Sequence, residues 1–223
     1  MQVRWYGHSA FALGSTRRVF VDPFGELELT RGREFGYPPI RDVEAELVLV
    51  THDHSDHNGV TAIGGSPMVV RAAGRTETPI GIVTGIAGEH DAVAGTELGA
   101  NVIFVFEYEG VRVCHFGDFG QSDLRPEQEH AIGRPDLLFV PVGGGKPTIG
   151  GRTAAAIVKR LAPGIAVPMH YRTELLPWAD LETAEPFLAE FDEANVVRLE
   201  TSTFDVQPRA PGEPTTMLVP ALP

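Results

Sequence analysis

The chain of 223 residues contains one cysteine, Cys114, and only 18 lysine and arginine residues against 30 aspartate and glutamate residues. A single cysteine excludes a disulfide within the chain and fits a reducing compartment, so we expect a cytoplasmic protein. The formal net charge of −12 opposes a nucleic-acid partner, because contact with the phosphate backbone depends on lysine and arginine. No hydrophobic run approaches the roughly 20 residues of a membrane span, and the first residues lack the pattern of a secretory signal. We therefore expect neither a nucleic-acid partner nor a membrane.

Hydrophobic residues make up 43% of the chain, enough for a sizeable core. Short apolar segments separated by glycine, serine and proline predict many strands and few helices. The predicted helices cover 126–132, 153–161 and 181–191, and the polar segment 26–44 is predicted to be a long irregular loop. The predicted strands cover 2–7, 10–13, 18–21, 46–50, 67–72, 80–84, 101–108, 111–116, 136–142, 165–169, 196–199, 203–206 and 215–219. Because no linker interrupts this order, we predict a single α/β domain over residues 1–223, with two packed sheets and outer helices.

The densest cluster of metal-ligand side chains is the sequence His52-Asp-His-Ser-Asp-His57, which follows the predicted strand 46–50. On a helix, His52 and His54 would point to nearly opposite sides, and on a strand His57 would face away from the other three ligand side chains. A loop that leaves a buried strand can fold around an ion and gather all four. A solvated polar loop is the alternative, but this density of ligand side chains favours a bound cation.

The sequence Thr51-His-Asp-His-Ser-Asp-His57 resembles the signature of the metallo-β-lactamase fold hydrolases. The resemblance covers nearly the whole chain and implies an α/β (α+β) fold, the αββα four-layer sandwich built from two similar halves. The segments His115-Phe-Gly-Asp-Phe-Gly120 and Pro168-Met-His-Tyr-Arg-Thr173 are most similar to small metal-dependent hydrolases akin to the ascorbate-phosphate lactonase. In those relatives the segment that matches Pro147-Thr-Ile-Gly150 ends in Asp, so the substrate contacts of this loop are not carried over.

The resemblance further implies two divalent metal ions per chain. One ion would be bound by His52, His54 and His90, the other by Asp56, His57 and His170, and Asp118 would bridge them. His90 has an alternative interpretation, since a histidine before Asp91 could belong to a surface pair. Zinc is the first expectation, with manganese or iron as alternatives, because histidine and carboxylate ligands suit all three metals.

Other polar residues have two possible roles each. Asp22 either accepts a hydrogen bond from a metal-binding histidine or is a turn residue before Pro23. His8 either reaches the site, as the resemblance implies, or is a buried structural histidine. Three further histidine or cysteine side chains are predicted to take no part in the chemistry: Cys114 and His115 inside a strand, and His130 on a helix surface.

Aromatic side chains could form the walls of a substrate pocket. Tyr171 and Trp178 are candidates for one wall, and Phe35 and Tyr37 of the 26–44 loop are candidates for another. Ordinary packing is the alternative for all four of these residues.

The predicted function is the hydrolysis of an ester, lactone, thioester or phosphodiester bond in a small molecule. Asp56 would orient a water nucleophile and accept its proton. One alternative is an iron-dependent redox enzyme, although the oxygen-reducing di-iron branch of the fold has a glutamate where this chain has His54. A metal-binding protein without turnover is another alternative, and a nuclease is disfavoured by length and charge. The fold does not identify the substrate, and the oligomeric state is not readable from the sequence.

Overall fold

The computed structural model describes residues 1–16, 18–25, 27, 34–208, 210 and 212–223. Within these residues, the chain forms fourteen strands and three α-helices, and nine of the strands precede the first α-helix. The helices are α1 (Pro126–Ile132), α2 (Gly151–Leu161) and α3 (Glu185–Leu188). The strands are β1 (Gln2–Gly7), β2 (Ala10–Leu13), β3 (Val19–Val21), β4 (Leu47–Leu49), β5 (Met68–Val70), β6 (Gly74–Thr78), β7 (Gly81–Glu89), β8 (Ala100–Tyr108), β9 (Val111–His115), β10 (Leu137–Pro141), β11 (Ile165–Met169), β12 (Val196–Arg198), β13 (Thr203–Asp205) and β14 (Thr216–Val219).

Two mixed sheets contain all of these strands. The first sheet has the order β13-β1-β2-β3-β4-β5, and the second has the order β12-β14-β11-β10-β9-β8-β7-β6. Short turns connect β1, β2 and β3 as antiparallel neighbours, as the glycine and serine residues between them predict. Glu109 and Gly110, both with positive φ, form the tight turn between β8 and β9. The α/β fold class is therefore confirmed.

The main hydrophobic core lies between the two sheets. Side chains alternate along a strand, so Val3 and Trp5 of β1 enter this core whereas Tyr6 belongs to the opposite face. The rings of Phe11 from the first sheet and Phe139 from the second approach to 4.1 Å between centroids. Each fully buried aromatic side chain of this kind contributes about 1.5–3 kcal/mol through its apolar area.

The outer faces of the two sheets are covered differently. Helix α2 covers the second sheet with buried side chains that include Ile157, Val158 and Leu161. The outer face of the first sheet packs against Tyr37, Ile40 and other loop side chains. In the described part of the chain, this outer layer consists of loops and a one-turn 3-10 helix, Val60–Ala62, rather than an α-helix. No helix among the described residues is long and apolar enough to cross a bilayer.

The prediction of a helix over 181–191 is wrong, because only α3 forms within that range. The backbone before α3 forms hydrogen bonds with other segments. Glu182 N donates to Gly143 O at 2.7 Å, and the carbonyl of Glu182 accepts from Arg172 N at 2.8 Å. Pro186 also lacks the N–H that a longer helix would require. Tertiary hydrogen bonds thus prevent a helix that the composition favours.

Two strand predictions were incomplete. The predicted strand 80–84 is the start of the longer β7, and the edge strand β6 was missed. The sequence of β6, Gly-Arg-Thr-Glu-Thr, is polar because an edge strand with exposed faces needs no apolar side chains. In the predicted 26–44 loop, residues 26 and 28–33 lie outside the described residues. The rest has no helix or strand, and only an isolated bridge joins Glu44 to Gly64.

Candidate metal centre

Strand ends bring the predicted metal ligands to one edge of the two sheets. β4 leads into the loop that carries the four ligand residues of 52–57, and β7, β9 and β11 lead into His90, Asp118 and His170. These three strands run in the same direction, because β7 and β9 both pair antiparallel with β8, and β9 and β11 both pair parallel with β10. Strands that run in one direction end at the same edge of a sheet, where ligands bind in many α/β proteins. These strand ends therefore place His90, Asp118 and His170 at a shared edge.

The backbone at this edge contains three left-handed residues that are not glycine. His8, Asp22 and His170 have φ values of 52°, 48° and 51°. Histidine and aspartate enter this region more often than most residues, but the conformation still costs roughly 1–2 kcal/mol per residue. Such strain persists where the surrounding structure fixes it, and it is common at functional sites.

The carboxylate of Asp22 orients two of the histidines. It is fully buried and accepts hydrogen bonds from Thr51 N at 2.8 Å, Thr51 Oγ1 at 2.7 Å and His57 Nδ1 at 3.0 Å. Because the Thr51 hydroxyl hydrogen is directed to Asp22, Thr51 Oγ1 accepts from His52 Nδ1 at 3.1 Å. Both imidazoles therefore hold their proton on Nδ1 and present the Nε2 lone pair to the centre of the cluster. Of the two interpretations of Asp22, the hydrogen-bonded carboxylate agrees with this geometry.

The first group of ligand atoms consists of one ring nitrogen each from His52, His54 and His90, and these three atoms lie within 4.8 Å of one another. His90 Nε2 is 3.1 Å from His54 Nδ1, and His90 Nδ1 donates to the carbonyl of Pro147 at 2.8 Å. His90 and Asp91 are each only 1% exposed, so they are not a surface pair.

The second group contains Asp56, His57 and His170 together with His8, and its ligand atoms also lie within 4.8 Å of one another. Asp118 joins the two groups. Its Oδ2 atom lies 3.3 Å from His57 Nε2 and 3.1 Å from His170 Nε2 on one side. On the other side, the same oxygen lies 3.5 Å from the Nε2 atom of His90 and 3.8 Å from that of His52.

The electrostatics of the first group favour neutral imidazoles. Burial and the neighbouring His57 lower the pKa of His52 to about 2. Burial and His90 likewise lower the pKa of His54. Neutral imidazole is the form that binds a metal ion, so these nitrogens are available at neutral pH.

The electrostatics of the second group favour a positive charge at its centre. Burial opposes ionisation of Asp118, but His170 and His57 outweigh it and hold the pKa of Asp118 well below its usual range. Burial also opposes protonation of His57, but Asp118 and Asp56 outweigh it and raise the pKa of His57. The buried Asp118 carboxylate and the half-buried Asp56 carboxylate stabilise a cation at this position, whether a proton or a metal ion.

Unpaired buried atoms test whether a metal fits. His52 Nε2 and His57 Nε2, which point to the centre of the cluster, are buried and have no hydrogen-bond partner among the described residues. An unpaired buried polar atom costs about 1–3 kcal/mol, which a metal bond would offset. Two ligands each about 2.1 Å from one zinc ion lie at most about 4.2 Å apart. The distances from Asp118 Oδ2 to the four imidazoles, all 3.8 Å or less, satisfy that limit.

The loop after His90 is fixed by one carboxylate. Asp91 accepts hydrogen bonds from four backbone N–H groups, those of Val93, Gly95, Glu97 and Leu98, at 2.7–3.0 Å. Although burial opposes ionisation, these N–H groups lower the pKa of Asp91 to about 2. The loop that carries Leu98 to the cavity is thereby held in one conformation.

A cavity of about 340 Å³ opens over the ligand cluster. Trp178 lines it, whereas the ring of Tyr171 stacks on Trp5 at 6.1 Å between centroids and does not line it. Lys146 is the one cationic side chain among the described lining residues, and it pairs with Glu97 at 2.8 Å. The lining residues are Leu27, His54, Ser55, Asp56, His90, Leu98, Asp118, Lys146, Pro147, His170, Trp178, Asp180 and Leu181.

The predicted loop 26–44 contributes to this cavity only through Leu27 among its described residues. Phe35 and Tyr37 line a neighbouring cavity of about 490 Å³. The Phe35 ring lies 5.6 Å from the His8 ring and 6.4 Å from the Trp178 ring. These aromatic rings therefore pack behind the site rather than over the ligand cluster.

Sequence reasoning missed three residues that organise the site. Thr51 connects Asp22 to His52, and the Pro147 carbonyl orients His90. Asn101 is 1% exposed; its side-chain oxygen accepts from Asp118 N at 3.0 Å, and its amide donates to the Phe116 carbonyl at 2.8 Å. Thr51 stands directly before the motif and could have been noticed. The other two act through tertiary contacts that no local pattern contains.

Three residues predicted to lie outside the chemistry are placed as expected. Cys114 and His115 are fully buried in β9, and His130 is exposed on α1. His115 Nε2 donates to the carbonyl of Ser9 at 3.1 Å, and its Nδ1 accepts from Gly117 N at 3.1 Å. Both ring nitrogens of His115 are thus used within the fold.

Glu182 stands near the position where the resembling hydrolases have an aspartate. Gly150 is the N-cap of α2 and has no side chain to accept the first N–H groups of the helix. Glu182 Oε2 accepts from Gly151 N at 3.4 Å and would lie 3.4 Å from a Cβ atom at position 150. A carboxylate from another loop thus supplies the negative charge that favours a helix N-terminus.

Comparisons with known proteins agree with this centre. The profile of the Beta-lactamase superfamily domain matches residues 2–170. UPF0173 metal-dependent hydrolases from Archaeoglobus fulgidus and Korarchaeum cryptofilum are 30% and 32% identical to the chain, with 78% of this chain and 84% of each relative covered. A solved structure from Thermotoga maritima, a proposed Zn-dependent hydrolase of the metallo-β-lactamase superfamily, is 29% identical with a TM-score of 0.77 over 99% of both chains. The chain therefore belongs to the metallo-β-lactamase superfamily and, within it, to the metal-dependent hydrolases.

Proposed function

We propose that the protein binds two divalent metal ions, zinc first among them, and hydrolyses an ester, lactone, thioester or phosphodiester bond of a small molecule. The observation that carries the proposal is the pair of ligand groups around one carboxylate oxygen, Asp118 Oδ2, which lies within 3.8 Å of imidazole nitrogens from both groups. We also propose that residues 1–223 form one domain and, from the single cysteine, that it works in a reducing compartment such as the cytoplasm.

The ligand residues divide between two positions. His52, His54 and His90 would bind the first ion, and Asp56, His57 and His170 would bind the second, with Asp118 between them. Two such ions supply Lewis acidity and lower the pKa of a coordinated water to about 7. The rings of His52 and His57 need no reorientation to bind these ions, because hydrogen bonds to Thr51 and Asp22 already orient both imidazoles.

Asp56 is the proposed proton acceptor. Its side chain is 19% exposed and lines the cavity, so it can contact a water molecule beside the ligand cluster. Burial opposes its ionisation, but the charge of His57 and the hydrogen bond from His8 outweigh burial and hold the pKa of Asp56 below its usual range. The carboxylate is therefore ionised at neutral pH and can accept a hydrogen bond from a water molecule, which orients that water for transfer of its proton.

The cavity fits a small molecule rather than a polymer. Its volume of about 340 Å³ lies at the small end of the range for ligand pockets. Trp178, Leu98 and Leu181 give it an apolar wall, and Lys146, which pairs with Glu97, also lines it. This lining fits a substrate whose apolar part contacts the apolar wall and whose reacting carbonyl or phosphoryl group lies at the ligand cluster around Asp118.

Elemental analysis tests the proposal on protein purified without added metal. We expect about two zinc or manganese ions per chain, and loss of about one of them in His54→Ala. His130→Ala is the matched control, because it removes an exposed histidine of α1 and should leave the metal content unchanged. The same samples are then assayed against lactones, thioesters and phosphodiesters, before and after removal of metal with a chelator.

Three outcomes would contradict parts of the proposal. Absence of metal from the wild-type protein would refute the metal centre. Iron together with oxygen-dependent turnover would replace the hydrolase with a redox enzyme. An Asp56→Ala protein that keeps both metals and full activity would exclude Asp56 as the proton acceptor, since loss of a general base lowers rates by about 10²–10⁴-fold.

A further inference from the structure

His8 is a buried histidine inside the site that is not one of the seven proposed ligands. Its side chain has no exposure to solvent. The ring lies 4.2 Å from the His170 ring and 5.0 Å from the His57 ring, measured between centroids. His8 Nε2 is 3.2 Å from Asp56 Oδ2, which is a hydrogen-bond distance. The ring therefore faces the second group of ligands and not the first.

The backbone fixes His8 in this orientation. The preceding Gly7 has a φ of 105°, and a Cβ atom there would overlap the ring of Tyr37. The carbonyl of His8 accepts from Trp5 Nε1 at 3.1 Å and from His170 N at 3.4 Å. The turn between β1 and β2 is thereby tied to the strand end that carries a proposed ligand. A residue that positions another side chain must itself be held in one conformation, and these contacts hold His8 in this way.

The hydrogen-bond chemistry assigns the proton on His8. An ionised carboxylate can only accept hydrogen bonds, so the hydrogen shared with Asp56 belongs to His8 Nε2. Among the described residues, His8 makes the one hydrogen bond to the Asp56 carboxylate, and His57 Nε2 is farther away, at 3.8 Å. Asp56 lies in a loop, where no helix or strand restricts its side chain.

We propose that His8 is a positioning residue that holds the Asp56 carboxylate in place for the second metal ion by donating the Nε2 hydrogen to Asp56 Oδ2. The inference rests on the proposed function, because it concerns the second of the two metal positions. Removal of such an outer partner commonly lowers metal affinity by about 10–100-fold. The first position should be unaffected, because its His52, His54 and His90 ligands make no hydrogen bond to His8.

Four variants isolate the hydrogen bond. His8→Gln places an amide N–H near the former Nε2 position, whereas His8→Asn reaches only the position of Nδ1, and His8→Leu removes all polar atoms at similar volume. Ser9→Ala is the matched control, since Ser9 lies in the same buried turn and its hydroxyl has no hydrogen-bond partner among the described residues. Thermal unfolding of each metal-free variant establishes that it is folded.

Calorimetric titration of the metal-free proteins with zinc gives the two affinities, and the visible spectrum of the cobalt-loaded proteins reports on ligand geometry. We expect His8→Leu and His8→Asn to leave one of the two affinities unchanged and to weaken the other by about 10–100-fold. We expect His8→Gln to restore wild-type affinity to within about threefold, and Ser9→Ala to match the wild-type protein.

Two results would overturn the inference. Unchanged affinity for both ions in His8→Leu would mean that His8 does not support the second site. Equal weakening in His8→Gln and His8→Leu would mean that His8 acts other than by donating a hydrogen bond, for example by binding the ion itself. A wild-type protein that binds fewer than two ions would instead refute the proposed function, so the two failures are distinguishable.

Discussion

Replacement of Asp22 by asparagine should disturb the hydrogen bonds that orient the histidines and leave the backbone conformation at this position unchanged. Asparagine has nearly the same size as aspartate and enters the left-handed region easily, so the φ of 48° remains accessible. The substitution removes the charge and converts one of the two acceptor oxygens into a donor. It therefore tests the hydrogen bonds from Thr51 and His57 without opening a cavity.

The magnitude follows from the three donors that converge on the carboxylate. An amide nitrogen in place of Oδ1 would face Thr51 N–H, and one in place of Oδ2 would face the Nδ1–H of His57. Either orientation leaves a buried donor unpaired, which costs about 1–3 kcal/mol, and weakens the remaining bonds because the acceptor is no longer charged. We expect a loss of about 3 kcal/mol in the free energy of unfolding of the metal-free protein.

Urea unfolding in the presence of a chelator measures this loss. Asp42→Asn is the matched control, because Asp42 is exposed and has a φ of 55°, so its substitution should change stability by less than about 0.5 kcal/mol. Zinc titration should also show weaker binding of the variant by about 10–100-fold. The reasoning is refuted if the stabilities of Asp22→Asn and Asp42→Asn differ from wild type by similar amounts.

Three other predictions concern features around the site. Because burial raises the pKa of Cys114 well above its usual range, the thiol should not react with alkylating reagents until the protein is unfolded, and mass spectrometry in and out of denaturant checks this. Gly150→Asp should lower the melting temperature, because the new carboxylate would meet that of Glu182, and adding Glu182→Gln should recover part of the loss. Asp91→Ala should accelerate amide hydrogen exchange in 93–98, where four backbone N–H groups lose their acceptor; unchanged exchange would contradict its role in holding the loop.

The fold was predictable where local pattern and tertiary structure agree. The alternation in β1 and the Glu109-Gly110 turn each define their own geometry, and the structure follows them. The helix over 181–191 failed because backbone groups of Glu182 pair with residues far along the chain. The strand β6 was missed for the opposite reason. Its polar side chains do not indicate a strand, and it is the pairing with β7 that makes this segment extended.

The position of the candidate ligands at one site was predictable, and the residues that support them were not. The ligand residues stand out because histidine and aspartate are dense in 52–57 and recur at the ends of strands. Asn101 and the Pro147 carbonyl do not stand out, because their function depends on which backbone atoms come near Asp118 and His90. The exclusion of Tyr171 from the cavity likewise depends on its contact with Trp5, which lies in the first sheet.

The left-handed backbone at His8, Asp22 and His170 has a consequence for protein engineering. Each position stores roughly 1–2 kcal/mol that glycine would release, so a screen for heat resistance alone would favour replacements there. The same replacements would remove an imidazole or a carboxylate from the cluster. Selection for stability and selection for turnover therefore oppose each other at these three positions. Thermostable variants that keep their activity should carry their substitutions elsewhere in the chain.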